Sequence, residues 1–387
     1  MANNKNTKVP NVPNLRFPEF EGEWEKHLLT DFMSFKNGMN PEAKRFGNGV
    51  KFISVMDILN NQFIYYDNIR ASVEIADGDL DTYGVKYGDI LFQRSSETLE
   101  DVGQANVYLD SKPAVFGGFV IRGKSKENYN PLFFRYLLTS PTVRKRVIVK
   151  GAGAQHFNIG QDGLSKVCVD IPCIKEQEKI ARLLSLLDER ISTQNKIIED
   201  LKKLKSAISE RLFKSVKGSI VLLSDICDIV KGKQINGENL SERGRYYVMN
   251  GGTEPSGYYD DYNVEANTIS ISEGGNSCGY VQFNTFPFWS GGHCYSIQNV
   301  TGNVDNLYLY HYLKSNEDNI MKLRIGSGLP NIQKKDLAMF KIIVPTLEQQ
   351  MTISTFLSSI ERKAEIERRI QNAIQKQKLY LLQQMFI

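Results

Sequence analysis

The second half of this 387-residue chain repeats the first half in the type and order of its segments. Pro172 and Pro345 each introduce a run with helical periodicity, and they lie 173 residues apart. Asn158-Ile159 recurs at the same distance as Asn331-Ile332. A period this long indicates a duplicated domain rather than a solenoid repeat, because each copy is large enough to bury a core of its own.

Composition is typical of a folded, soluble protein with two or three domains. The net charge of +4 is small, so any anion-binding face has to be local. The five cysteines form no CxxC pair and have no histidines at zinc spacing, which predicts reduced thiols and no bound metal. Every apolar run is much shorter than a membrane span, which needs about 18 residues, and the N-terminus lacks a hydrophobic signal core. We therefore expect a cytoplasmic protein with no membrane segment.

Each copy has the pattern of a compact, mixed α/β unit. Short β-rich runs bounded by glycine-containing turns occur at residues 50–55, 89–92 and 114–116, and again at 246–249, 268–271 and 278–283. A helix is predicted to open at Asn130-Pro131 in the first copy, and another to cover residues 307–313 in the second.

The stretch that follows Pro172 has a different pattern, in which seam positions step by four and three residues in alternation. These positions are Ile180, Leu184, Leu187, Ile191, Gln194, Ile198, Leu201, Lys205, Ile208 and Leu212. A helix over residues 176–214 would span roughly 58 Å, which is too long for one small domain to cover. It therefore needs a partner helix, and the less regular stretch after Pro345 is the simplest choice. The alternative is two ordinary surface helices folded back on their own domains.

Further signals are the opening run Val12-Pro13-Asn14-Leu15-Arg16-Phe17-Pro18-Glu19-Phe20 with Trp24, and the second-copy runs 250–258, 272–276 and 289–293. Together with the two helix entries and the two helical stretches, they resemble the specificity subunits of type I restriction-modification systems over nearly the whole chain. No single motif is diagnostic, but their order across two copies is specific.

The resemblance implies an α+β fold in which two duplicated mixed α/β target-recognition domains are separated by two long antiparallel coiled-coil helices. It implies a non-catalytic subunit that binds double-stranded DNA and reads one half of a bipartite target with each domain. Two methyltransferase subunits and restriction (translocase/nuclease) subunits are the implied partners. The chain itself is expected to bind no cofactor, with S-adenosylmethionine and ATP/Mg on the partner subunits. The DNA sequence and the spacer length do not follow from the resemblance.

The predicted boundaries are a mobile N-terminal tail at 1–16, recognition domain 1 at 17–172, spacer helix 1 at 173–216, recognition domain 2 at 217–345 and spacer helix 2 at 346–387. We call residues 17–172 copy 1 and residues 217–345 copy 2.

Candidate DNA contacts are loop residues in which Lys or Arg accompanies Asn, Gln, Ser or Thr, because such side chains reach phosphates and base edges. In copy 1 they are Lys36, Asn37, Lys44, Arg45, Gln93, Arg94, Ser95, Gln155, His156 and Asn158. In copy 2 they are Lys231, Lys233, Gln234, Asn250, Thr253, Glu273, Asn276, Arg324, Ser327 and Asn331. The alternative for each is an ordinary solvated turn. Candidate subunit-interface residues are Leu184, Leu187, Ile191, Ile198, Leu357 and Ile360.

Two enzyme-like matches carry little weight. Residues 118–125 fit the phosphate-loop pattern GxxxxGK[ST], but their apolar middle favours a strand and no helix is predicted to begin at Ser125. Asn130-Pro131 only loosely resembles the motif of adenine methyltransferases and better fits a helix start. The remaining function classes are the specificity subunit, a DNA methyltransferase or nuclease with its own recognition domain, and a coiled-coil scaffold that binds proteins. No catalytic or metal-binding residue is predicted.

Overall fold

The computed structural model describes residues 10–326 and 330–387, which divide into two compact units. Unit 1 comprises the chain up to Thr193 together with Gln371–Ile387, and unit 2 comprises Gln194–Ile370. Each unit contains one copy of the duplicated domain and a part of both long helices. In the described ranges, none of the helices combines the length and apolar character needed to cross a membrane.

Copy 1 is built from short strands and five short helices within its described residues. The strands are β1 (Glu25–Leu28), β2 (Met33–Asn37), β3 (Phe46–Ile53), β4 (Ala71–Val73), β5 (Ile90–Gln93), β6 (Ser95–Ser96), β7 (Ala105–Val107), β8 (Val115–Phe116), β9 (Val120–Ser125), β10 (Phe157–Asn158) and β11 (Cys168–Ile171). The helices are α1 (Val55–Asn60), α2 (Asp79–Tyr83), α3 (Pro131–Thr139), α4 (Pro141–Ile148) and α5 (Gln161–Ser165). The first long helix, α6 (Ile174–Ser215), follows.

Copy 2 contains a similar but smaller set. Its strands are β12 (Ser219–Leu222), β13 (Asp228–Lys231), β14 (Tyr246–Met249), β15 (Tyr258–Tyr259), β16 (Thr268–Ser272), β17 (Val281–Asn284), β18 (Trp289–Ser290), β19 (Cys294–Gln298) and β20 (Lys341–Val344). Its helices are α7 (Leu223–Ile226), α8 (Asn306–Ser315), α9 (Glu317–Met321) and α10 (Lys334–Ala338), before the second long helix, α11 (Leu347–Gln384).

Three sheets of copy 1 have counterparts of the same strand order in copy 2, and the additional pair β6-β10 occurs in copy 1. An antiparallel sheet of order β2-β9-β5-β7 in copy 1 corresponds to β13-β19-β16-β17 in copy 2. A second sheet, β4-β3-β8, corresponds to β15-β14-β18, and in both the last pair is parallel. The pair β1-β11 corresponds to β12-β20. The duplication read from the sequence is therefore a duplication of strand order and direction.

The same polar contacts fasten each copy to the start of its following helix. Gln177 accepts a hydrogen bond from the backbone N–H of Asn130 at 3.0 Å and donates one to the carbonyl of Pro172, also at 3.0 Å. Gln350 does the same with Asp305 at 2.8 Å and with the carbonyl of Pro345 at 2.9 Å. The Asn130 and Asp305 side chains cap α3 and α8, which satisfies an N–H group that a helix start leaves free.

In unit 1 the first turns of α6 pack against the last turns of α11. Ile180 and Leu184 share one hydrophobic cluster with Leu381, Met385 and Phe386, and this cluster is continuous with the core of copy 1. The start of one long helix thus lies beside the end of the other, as an antiparallel pair requires.

Unit 2 contains the complementary pairing, in which the end of α6 shares a cluster with the start of α11. Phe213 and Leu357 are buried together there with the core of copy 2. Gln194 donates a buried hydrogen bond to the Glu367 carboxylate, and these two residues are themselves 173 positions apart. Two long helices therefore pair antiparallel, and the ten predicted seam positions of α6 are all buried or half-buried.

Two details differ from the sequence-based expectations. The strand expected at residues 278–283 begins only at Val281, because Gly279 has a φ of +91° and forms a turn. The predicted mobile tail covers residues 1–16, of which the first nine lie outside the described residues. Its remainder is packed: Asn11 donates to the Asp170 carboxylate at 2.8 Å, and Arg16 forms an ion pair with buried Glu176 at 2.8 Å. Asn11 and Arg16 of the tail thus have buried partners, which composition alone did not indicate.

Candidate functional site

A turn that begins with two glycines occupies the same place in each copy. In copy 1 it is Gly117-Gly118-Phe119 between β8 and β9, and in copy 2 it is Gly291-Gly292-His293 between β18 and β19. We call it the glycine turn. Its third residue is exposed in both copies: 69% of Phe119 and 64% of the His293 side chain are accessible.

Two backbone hydrogen bonds and the close approach of a third segment hold the glycine turn of copy 1. The N–H of Gly117 donates to the carbonyl of Ile53 at 3.0 Å, and the N–H of Arg94 donates to the carbonyl of Phe119 at 2.9 Å. Gly38 lies so close that a Cβ atom there would overlap the carbonyl oxygen of Gly117. A side chain at Gly38 would therefore displace the turn.

The glycine turn of copy 2 is held in the same way by different residues. The N–H of Gly291 donates to the carbonyl of Met249 at 2.8 Å, and the N–H of Glu273 donates to the carbonyl of His293 at 2.9 Å. A Cβ atom at Gly232 would overlap the carbonyl oxygen of Gly291. Matching bonds place Arg94 of copy 1 and Glu273 of copy 2 at equivalent positions.

In copy 1, four predicted residues gather beside the glycine turn. The Arg94 guanidinium donates to the carbonyl of Gly118 at 3.3 Å. Ser95 donates to the Asn158 side chain across the β6-β10 pair, and Gln93 is buried with its amide bonded to the carbonyl of Ser95 at 2.8 Å. This group carries a positive charge next to an exposed aromatic ring.

In copy 2, the corresponding group is organised around a buried carboxylate. Glu273 accepts hydrogen bonds from Lys231 at 2.6 Å and from the Tyr295 hydroxyl at 3.1 Å. His293 Nδ1 lies 3.7 Å from the other Glu273 oxygen, and its backbone N–H donates to the Asn250 side chain at 3.2 Å. Burial, followed by the Glu273 charge, raises the pKa of Tyr295, so this hydroxyl stays protonated and donates.

Other predicted residues of copy 1 lie in separate places. The Arg45 guanidinium donates to the carbonyl of Glu74 at 2.8 Å and pairs with Asp79 at 3.1 Å, so it already has partners inside the copy. Hydrogen bonding by a backbone N–H and by Arg45 lowers the pKa of Asp79. Lys44 is exposed and pairs with exposed Glu42 at 2.7 Å.

The remaining predicted DNA contacts of copy 1 lie at the end of strand β2 and in the loop before strand β10. Asn37 directly precedes Gly38, and its side-chain oxygen is buried without a hydrogen-bond partner. Lys36 Nζ lies 5.4 Å from the centre of the Tyr83 ring. Gln155 and His156 are exposed in the loop before β10.

Most remaining predicted residues of copy 2 are surface residues. Lys233, Gln234, Thr253, Asn276, Arg324 and Asn331 are exposed. Among them, Gln234 lies against Gly292 of the glycine turn, and Asn331 forms a β-bridge with Gly274, next to Glu273. Ser327 lies outside the described residues. DNA contact by each of these residues stays a prediction.

Sequence reasoning missed Phe119 and His293, the two exposed residues at the centre of these groups. It also missed Asn40, whose amide lies against Gly118 as the Gln234 amide lies against Gly292. The signal in the sequence is the recurrence of a Gly-Gly pair before a non-glycine residue, but Phe119 is apolar, whereas the predicted contacts are polar loop residues.

The predicted interface residues are mostly buried inside the chain. Leu184 and Leu357 are fully buried, Ile198 and Ile360 are 5% and 9% exposed, and Leu187 and Ile191 are half-buried. Their burial fits packing within the chain, where Leu184 and Leu357 belong to the cores of the two units. Contact of the six residues with another subunit stays a prediction.

No group of three or more His, Cys, Asp or Glu residues within 10–326 and 330–387 is arranged to hold a metal ion. Residues 120–125 of the phosphate-loop match form strand β9.

Comparison with known proteins gives consistent results. The family model of the type I restriction modification DNA specificity domain matches residues 21–203 and again 218–376. The putative type I restriction enzyme MjaX specificity subunit of Methanocaldococcus jannaschii is 26% identical, over 96% of this chain and 94% of that protein. A putative type I specificity subunit of Mycoplasma pneumoniae is 32% identical over 37% of this chain and 38% of its own length. The crystal structure of a type I restriction-modification S subunit from M. genitalium superposes with a TM-score of 0.65 at 18% identity, covering 97% of this chain and 99% of that one.

Proposed function

We propose that this chain, which belongs to the type I restriction-modification DNA specificity family, reads a bipartite DNA target through the two glycine-turn sites described above. The observation that carries this proposal is the repetition of one backbone arrangement with different side chains. Copy 1 has Arg94 and Phe119 where copy 2 has Glu273 and His293. Base edges in the major groove differ in their donors, acceptors and methyl groups, so two different side-chain sets read two different half-sites.

Phosphate contacts come from exposed cations of the two copies, some beside the glycine turns and some in other loops. Lys231 is about half exposed while paired with Glu273, and Lys233, Arg324 and Lys44 are exposed in neighbouring or separate loops. Such contacts orient the protein without reading sequence, whereas the side chains at the glycine turns supply the sequence contacts.

Two methyltransferase subunits are proposed to bind exposed apolar positions of the long helices. Ile197 of α6 and Ile370 of α11 are each 37% exposed and lie 173 positions apart. Ile174 and Leu347, at the helix starts, are related by the same distance and are 47% and 44% exposed. Because the exposed apolar residues occur at equivalent positions of both helices, each helix can bind one copy of the same partner and bury the same residues against it.

The chain itself is proposed to be non-catalytic, in keeping with the role of its family. S-adenosylmethionine is assigned to the methyltransferase subunits, and ATP with Mg²⁺ to restriction subunits that join the complex. A cytoplasmic location follows from this role, because the DNA that it marks lies there.

The role is tested with labelled S-adenosylmethionine and unmethylated DNA of mixed sequence. Purified chain alone is expected to transfer no methyl group, and addition of the methyltransferase subunit is expected to restore transfer at a bipartite sequence. Methylation or cleavage by the highly purified chain alone would instead support the enzyme alternative.

The partner surface is tested by counting subunits with native mass spectrometry. Ile197→Glu and Ile370→Glu should each weaken methyltransferase binding, because a charge cannot be buried unpaired in an apolar contact. Ile220→Glu is the matched control, since Ile220 is 68% exposed on strand β12, outside the long helices. Full assembly of the double variant would contradict the proposed surface.

A further inference from the structure

We propose that Phe119 and His293, the third residues of the two glycine turns, each contact a base and set one position of the half-site that their copy reads. This inference rests on the proposed DNA-reading function and adds to it the identity of two specificity-determining side chains. It assigns an apolar contact to copy 1 and a hydrogen-bonding contact to copy 2.

The backbone beneath both side chains is held by hydrogen bonds. In copy 1 the carbonyl of Phe119 accepts the N–H of Arg94 at 2.9 Å, and in copy 2 the carbonyl of His293 accepts the N–H of Glu273 at 2.9 Å. Neighbouring strands hold the preceding glycines, as described above. A side chain that selects a base needs such a fixed origin, because a shift of the backbone would let it contact several bases.

Both side chains are also largely exposed, so neither contributes much to the packing of its own copy. Phe119 and Phe286 are 69% and 71% exposed, and single exposed aromatic residues are common on protein surfaces. Phe119 differs from Phe286 because its counterpart, His293, is 64% exposed at the same backbone position. Two copies that keep an exposed side chain on one turn, while changing its chemistry, fit a position that varies with the target.

The polar groups that lie beside Phe119 differ from those that lie beside His293. Beside Phe119, the Arg94 guanidinium bonds to the carbonyl of Gly118 at 3.3 Å, and the Asn40 amide lies against the same glycine. An apolar ring next to Arg and Asn fits the methyl group of a thymine, with neighbouring donors for adjacent base edges.

Beside His293 the surroundings are polar. Its Nδ1 atom lies 3.7 Å from a Glu273 oxygen that has no hydrogen-bond partner, and the Gln234 amide lies against Gly292. An imidazole ring can present an N–H donor, and purine N7 and guanine O6 are acceptors in the major groove. We therefore assign a thymine contact to Phe119 and a purine contact to His293.

The test maps methylated bases in the genome of a host that expresses the full chain with its methyltransferase subunit. Phe119→Ala should lower discrimination at one thymine position of one half-site by about tenfold or more, as expected for loss of a base contact. His293→Ala should do the same at one purine position of the other half-site. Each variant should leave the opposite half-site and the spacer unchanged. Phe286→Ala, which removes an equally exposed aromatic ring, should leave the whole target unchanged.

The outcomes separate this inference from the function on which it rests. If the wild type methylates a bipartite target and both alanine variants keep full discrimination at every position of it, the inference alone is overturned. Absence of any bipartite target in the wild type would overturn the proposed function and the inference together. If Phe119→Ala abolishes methylation entirely, the methylated bases are mapped for Phe119→His instead. Loss of the thymine preference in that variant supports the inference, and an unchanged preference overturns it.

Discussion

Leu184 and Leu357 offer a matched pair of perturbations, because they lie 173 positions apart and are both fully buried. Leu184 belongs to the core cluster of unit 1, and Leu357 belongs to that of unit 2. Replacing a buried leucine by alanine costs about 2–5 kcal/mol, from lost burial and from the cavity that remains. At about 3 kcal/mol, the local unfolding equilibrium rises by roughly a hundredfold. We expect this loss in the isolated chain, before any partner binds.

Hydrogen exchange followed by mass spectrometry measures this effect separately for each copy. Leu184→Ala should accelerate exchange in the strands of copy 1, and Leu357→Ala should do so in copy 2. Leu186→Ala is the control on the same helix, because Leu186 is 49% exposed and its truncation should change stability by only about 0.5 kcal/mol. Equal effects of Leu184→Ala and Leu186→Ala would refute the assignment of Leu184 to the core of unit 1.

Two further predictions concern pH and spacing. Burial lowers the pKa of His311 to about 4, whereas its pKa in the unfolded chain is about 6.5. Between these two pH values the unfolded chain binds more protons than the folded chain. The free energy of unfolding should therefore fall by about 3 kcal/mol as the pH drops through this window. Thermal unfolding at pH 7 and pH 4.5 should show a smaller loss for His311→Gln than for the wild type, and an equal loss would contradict the prediction. Insertion of four residues after Lys203 adds about 6 Å of helix, close to two base-pair steps of about 3.4 Å. Methylated-base mapping should then show both half-sites unchanged with a longer spacer, whereas altered half-sites with an unchanged spacer would refute a role of the helices in spacing.

The sequence predicted the architecture because the duplication and the heptad pattern are properties of many residues at once. The 173-residue distance between Pro172 and Pro345 reappears in the paired contacts of Gln177 and Gln350 with backbone groups. Periodicity also identified the helix seam, including Gln194, whose partner could not be assigned from the pattern.

The site was less predictable because it is assembled from distant segments. Arg94 and Asn158 were proposed separately, and only the β6-β10 pairing brings their loops together. Phe119 was missed since exposure of an apolar residue depends on the finished fold rather than on its neighbours in sequence. The heptad pattern predicted a buried seam at Leu184, but it could not show whether that seam faces its own domain or another subunit.

If each copy reads its own half-site, exchange of one copy should change one half-site alone. Residues 217–344 are replaced by the corresponding domain of a homologous subunit with a different target, and methylated bases are mapped with the same methyltransferase subunit. We expect one half-site to change to that of the donor, while the other half-site and the spacer length remain. A change in both half-sites, or in neither, would contradict it.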